Sequence, residues 1–133
     1  MRMDIALVGG DRVEARFRDQ VVITDQDGSA PAPFQLFLAS LGTCAGFSVQ
    51  SFCRHREIPT DGIRIRQVSH TNRETHHVDD LRIEIELPPE FPERYRKALL
   101  RAVDQCAVKR HLTDPPAITV ATVTSDDETA VDA

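Results

Sequence analysis

The sequence predicts an α+β fold, on three observations. Short stretches in which apolar and polar residues alternate open the chain and recur in its middle. One long charge-free segment with helical spacing lies between them, and a second, amphipathic helical segment follows. Strands and helices that come in separate runs favour helices laid against one face of an antiparallel sheet.

The elements follow in order. Ile5 and Leu7, then Val13, Ala15 and Phe17, show a period of two, and Gly9-Gly10-Asp11 between them is a hairpin signal. Val21-Val22-Ile23-Thr24 gives a third strand, and residues 25–33 are a loop by composition. Pro33 suits the first position of a helix. Phe34, Phe37, Leu38, Leu41, Ala45, Val49 and Phe52 then recur at helical spacing, with no charge between Gln35 and Cys53. A helix apolar or small nearly all round is a central, buried one. Ile58-Pro59-Thr60-Asp61-Gly62 turns the chain into a strand holding Ile63, Ile65 and Val68. After a polar turn at 72–77, Leu81, Ile83, Ile85 and Leu87 alternate with Arg82, Glu84 and Glu86 as a half-buried antiparallel strand. A second helix spans about Pro92 to Gln105, with Tyr95, Leu99, Val103 and Cys106 on one face. Ile118 and Val120 form a last strand.

Bulk properties narrow the function. A chain of 133 residues, 41% hydrophobic and 28% charged, is one ordinary domain, taken as 1–125, with an acidic tail at 126–133. A net charge of −5 leaves no basic footprint for nucleic acid. No run reaches the roughly 18 apolar residues of a membrane span, and the N-terminus has no apolar core after a basic start, so neither a membrane nor a signal peptide is expected. The three cysteines have no tight spacing, which fits reduced thiols in the cytoplasm.

Cys44 and Cys106 stand out. A thiol pair brought together by a fold, with no secretion signal, is a candidate redox site rather than a structural staple. Cys53 lies nine positions beyond Cys44, which at about 100° per residue is the far side of the helix, so those two do not pair. Cys53 reads as a small buried hydrophobe. Gly42 and Gly46 bracket Cys44 and leave two readings open: close packing of another backbone, or room for a substrate beside the thiol. Phe34, Phe37, Phe47 and Phe52 belong to the core or line an apolar pocket. The five histidines show no ligand spacing, so no metal is expected.

The spacing Pro33-x-x-Leu36-x-x-Ala39-x-x-Gly42-x-Cys44, with Cys106-x-Val108 much later, resembles the OsmC/Ohr family, the osmotically inducible protein C and organic hydroperoxide resistance proteins. The resemblance implies an OsmC-like fold, an intertwined homodimer in which antiparallel sheets from both subunits wrap two central helices, with active sites at the interface. It implies that Cys44 attacks a hydroperoxide, that Cys106 resolves the sulfenic acid as a disulfide, and that an external dithiol reduces it, with no cofactor. It also implies an arginine from the N-terminal sheet beside the attacking thiol, for which Arg12 is the nearest match, with Arg16 and Arg18 as alternatives. Phe34, Gln35, Gly42 and Gly46 become candidate substrate-pocket residues. Two departures place the chain in an OsmC-like branch: Phe34-Gln35 stands where peroxidases carry a glutamate that orients the arginine, and Cys106-Ala107 stands where Cys-Pro is usual. An apolar-ligand-binding module, or a thiol-based sensor or sulfur carrier of the same fold, remains a rival reading.

Overall fold

The computed structural model describes residues 1–125; the predicted acidic tail lies outside the described residues. Contacts divide the chain into two compact units, residues 1–37 with the stretch from Pro116, and Leu38–Pro115.

The first unit is a meander of three antiparallel strands, β1 (Asp4–Gly9), β2 (Arg12–Phe17) and β3 (Gln20–Thr24), in that spatial order. Pairing Ile5 with Ala15 and Leu7 with Val13 puts the alternating apolar set on one face, as the period of two demands. The turn between β1 and β2 needs positive φ at both Gly9 and Gly10, which only glycine adopts without strain. On the other face of β2 stand Arg12, Glu14 and Arg16. The Thr24 hydroxyl donates to the Val13 carbonyl at 2.7 Å and ties β3 to β2. The Asp25 amide donates to the Pro31 carbonyl and closes the loop before the helix.

Helix α1 runs from Pro33 to His55, starting where the proline predicts. It buries Leu41, Ala45, Val49, Phe52 and Cys53, one stripe at helical spacing. Its end lies before the predicted turn and is a Schellman arrangement: the Ile58 amide donates to the Cys53 carbonyl at 2.9 Å and that of Glu57 to Arg54 at 3.3 Å, with Glu57 left-handed at φ 53°. The Arg56 guanidinium lies over the Phe52 ring, 3.6 Å from its centroid.

In the second unit, β4 (Arg64–Thr71) and β5 (Val78–Glu86) form a hairpin. Ile65, Gln67 and Ser69 pair with Ile85, Ile83 and Leu81 on the inner face, while Arg64 and Arg66 pair with Glu86 and Glu84 outside. A 3-10 turn, Glu93–Tyr95, leads into α2 (Arg96–Asp104), and a third helix, α3 (Ala107–Thr113), follows. Val49, Phe52, Cys53, Phe91 and the fully buried Leu99 make the core, with Ile58, Ile63, Ile85, Leu87 and Tyr95 around it.

The structure corrects the sequence reading in three places. The second helix breaks after Asp104, so Cys106 is not on its face but caps α3 in extended conformation (ψ 146°). The expected strand at Ile118 and Val120 is not formed; both side chains are exposed (84% and 92%). A strand needs a neighbour to receive its backbone groups, and this stretch has none within the described chain. Finally, α1 is long and apolar enough to cross a membrane by length and composition, although its buried stripe belongs to the core.

Gly42 packs closely. The Gln67 amide nitrogen donates to the Leu38 carbonyl at 2.9 Å, and a Cβ at Gly42 would collide with the Gln67 side-chain oxygen. A Cβ at Gly46 would meet the Ile65 methyl at 3.9 Å, ordinary contact. In Gly42→Ala the Gln67 amide must swing aside and give up its bond to Leu38, a loss of about 1 kcal/mol that cancels the gain in helix propensity. Gly46→Ala is expected to be neutral or stabilising by up to about 1 kcal/mol through helix propensity. Urea denaturation of both variants checks this; equal stabilisation would remove the close-packing reading of Gly42.

Candidate functional site

The break between α2 and α3 positions the second thiol. The Gln105 amide still bonds to Ala102 and the Cys106 amide to Val103, and then Cys106 turns extended, so its side chain leaves the α2 surface. Its sulfur accepts the Lys109 amide at 3.4 Å and so caps α3. From α1, Cys44 comes near enough to Cys106 for the two thiols to interact electrostatically, and neither is in a disulfide. Cys44 is half-buried, whereas Cys106 is only 4% exposed. Burial pushes the Cys106 thiol above its usual pKa, the Lys109 and Val108 amides pull it down, and the Cys44 thiol raises it further. Cys53, by contrast, is fully enclosed in the core, and burial raises its pKa too.

A cavity of about 470 Å³ borders Cys106. Leu41 and Ala45 of α1, the inner face of β5 (Leu81, Ile83, Ile85) and Leu112 of α3 make its apolar wall. At its polar end Lys109 forms an ion pair with Asp104. A wider groove of about 900 Å³ runs along residues 64–67 with Glu84 and Glu86 and contains neither thiol. Among the described residues no three His, Cys, Asp or Glu side chains converge into a metal-binding set.

Cys44 is not among the residues that line this cavity, and apart from Cys106 neither are the other predicted site residues. Phe34 is exposed in the first turn of α1 and stacks on Phe37 at 5.5 Å between ring centroids. The Gln35 side-chain oxygen accepts the Ala32 amide at 2.9 Å, so it caps its own helix. Gly42 faces Gln67 and Gly46 faces Ile65. Phe47 is exposed and Phe52 is core.

Arg12 belongs to the first unit. Its guanidinium donates to Glu14 at 3.1 Å, and Arg16 donates to the other carboxylate oxygen at 2.9 Å. The Arg16 and Arg12 hydrogen bonds hold the Glu14 carboxyl below its usual pKa. The carboxylate that holds Arg12 is therefore Glu14, not a residue at positions 34–35. The signal was Arg-x-Glu-x-Arg on a strand, which sets all three side chains on one face.

Comparison with known proteins agrees with this architecture. The family model for OsmC-like protein matches residues 26–121, so the chain belongs to the OsmC-like protein family. No curated protein matches the sequence. Among solved structures, an OsmC-like protein of Mycoplasma pneumoniae is 13% identical with a TM-score of 0.65, covering 86% of this chain and 89% of its own. An OsmC-like hydroperoxide resistance protein of Jannaschia sp. CCS1 is 21% identical, with a TM-score of 0.55 and coverage of 93% and 92%. The organic hydroperoxide resistance protein OhrB of Bacillus subtilis is 14% identical, with a TM-score of 0.52 and coverage of 86% and 93%. These likenesses define the fold.

Proposed function

We propose that the protein is a thiol-dependent peroxidase that reduces organic hydroperoxides through the Cys44–Cys106 pair. The observation that carries this reading is the proximity of two unbonded thiols, from separate elements of one compact unit, close enough for Cys44 to perturb Cys106. The Cys44 thiolate attacks the peroxide oxygen, the O–O bond breaks, and an alcohol leaves with a sulfenic acid on Cys44. The Cys106 sulfur then attacks Cys44, water leaves and the disulfide closes; a dithiol returns two electrons. The hydroperoxide resistance proteins among the structural relatives support the same chemistry.

Counting free thiols tests it. Purified reduced protein mixed with a small organic hydroperoxide is expected to lose two thiols rapidly and regain them with a dithiol. Loss no faster than at an ordinary exposed cysteine would sink the reading. The apolar cavity beside Cys106 favours a second reading, an apolar-ligand-binding module, in which ligand binding survives Cys44→Ser.

The proposal extends to a cytoplasmic homodimer. Leu7 is 85% exposed on the apolar face of the first sheet, with Ile5 beside it, and Ile118 and Val120 lie open as well. Apolar groups so placed need a second copy to cover them. Light scattering at micromolar concentration is expected to give twice the chain mass; a monomer would refute the dimer.

A further inference from the structure

The external thiol that reduces the disulfide has two sulfurs it can attack. We propose, resting on the dithiol cycle above, that it attacks Cys44 and that Cys106 is the leaving group, received as a thiolate by the Lys109 and Val108 amides. Two features of one compact unit support this.

The first is access. Cys106 is 4% exposed within its own chain. Cys44 keeps open surface. Among the described residues, an approach to Cys106 runs through the apolar cavity, past Leu81, Ile83 and Leu112. A thiolate nucleophile entering there loses hydration against a mostly apolar wall, and the one cation at its end, Lys109, is shared with the Asp104 carboxylate.

The second is the leaving group. Thiol–disulfide exchange is faster when the departing sulfur is the better thiolate. The Lys109 amide already donates to the Cys106 sulfur at 3.4 Å, and the Val108 amide adds to it. Hydrogen bonds to a charged sulfur are stronger than those to a neutral one, so both tighten as negative charge arrives. Burial is the larger effect and leaves the Cys106 thiol raised; the amides relieve that penalty in part, so the leaving-group feature supports the direction of attack and access carries it. In the step, the external thiolate forms a bond to Cys44, the Cys44–Cys106 bond breaks, and its electron pair goes to Cys106, which takes a proton from water. The second thiol of the reductant then attacks its own sulfur on Cys44, and Cys44 leaves as thiolate.

The test maps the mixed disulfide. Wild-type protein is oxidised with cumene hydroperoxide or with diamide, pulsed with 2-mercaptoethanol, quenched in acid and alkylated, and its peptides are weighed. The expected result is mercaptoethanol on Cys44 and the alkyl group on Cys106. Mercaptoethanol on Cys106, or on both equally, overturns the proposal. If diamide closes the disulfide and the hydroperoxide does not, the peroxidase reading fails while the mapping still decides this one. If neither closes it, both fail. Lys109→Pro removes the amide, and Lys109→Ala removes only the ammonium. Reduction is expected to slow about tenfold in the first and little in the second. Equal slowing overturns the role of the amide, and should Lys109→Pro not fold, the wild-type mapping still decides which sulfur is attacked.

Discussion

Cys44→Ser is expected to abolish hydroperoxide-driven thiol loss, lowering its rate at least about 10³-fold to that of an ordinary thiol, because the attacking sulfur is gone and no other open thiol is near. Cys53 cannot substitute: it is fully enclosed in the core on the far side of α1. Cys106→Ser has a different expected result. Attack still occurs, one thiol is lost instead of two, and a sulfenic acid persists that a cyclic 1,3-dione traps. Stopped-flow thiol counting with dione labelling separates the two variants, and a Cys44→Ser protein that still loses thiols at the wild-type rate would end the peroxidase reading. The wild type should also show closure of the disulfide quickening as pH rises, since the Cys106 thiol is raised above its usual range and only its thiolate attacks. The stability linkage has the same origin. A thiol with a raised folded-state pKa contributes fully below the unfolded value, and that contribution is lost as pH rises through the folded one.

How much of this was legible in the sequence depends on whether a local pattern decided the structure. Pro33 marked the start of α1, because that signal is local; the absence of charge from Gln35 to Cys53 suggested a helix buried all round, but one chain covers only the stripe from Leu41 to Cys53 and leaves Phe34, Phe37 and Phe47 exposed. The alternation in β2 and β5 fixed which residues share a face. The α2–α3 break was not legible. Gln105-Cys106-Ala107 contains no glycine or proline, and cysteine is not among the usual capping residues, so the pattern ran on through a real boundary. The same miss put Cys106 on a helix face when it caps the next helix. The last strand failed for the opposite reason: Ile118 and Val120 have the right alternation, but a strand is a pairing and no partner strand reaches them in the described chain. Gly42 was left open between packing and substrate room because its neighbour, Gln67, is 25 residues away in sequence. The family pattern places the orienting carboxylate at positions 34–35, whereas the carboxylate that holds Arg12 here is Glu14, two residues along the same strand.

Leu99→Ala is expected to have the largest effect on stability. Leu99 is fully buried in α2 and belongs to one cluster with Val49, Phe52 and Cys53 of α1 and with Phe91. Hydrophobic contact of this kind joins α2 to α1, since α2 is nine residues long and too short to persist alone. Truncation removes buried methyl groups and leaves a cavity in a wall set by a long helix that cannot collapse to fill it, at a cost of about 2–5 kcal/mol. Against a total stability of about 5–15 kcal/mol, that is a large fraction. The consequence reaches the site, because α2 ends at Asp104 and delivers Cys106 to Cys44. The variant should therefore melt well below the wild type by circular dichroism. Below its own transition it should also close the Cys44–Cys106 disulfide more slowly. A Leu99→Ala protein with an unchanged midpoint would mean that the core does not depend on α2. An unchanged closure rate beside a lowered midpoint would mean that the two thiols are held near each other by α3 and β5 rather than by the packing of α2.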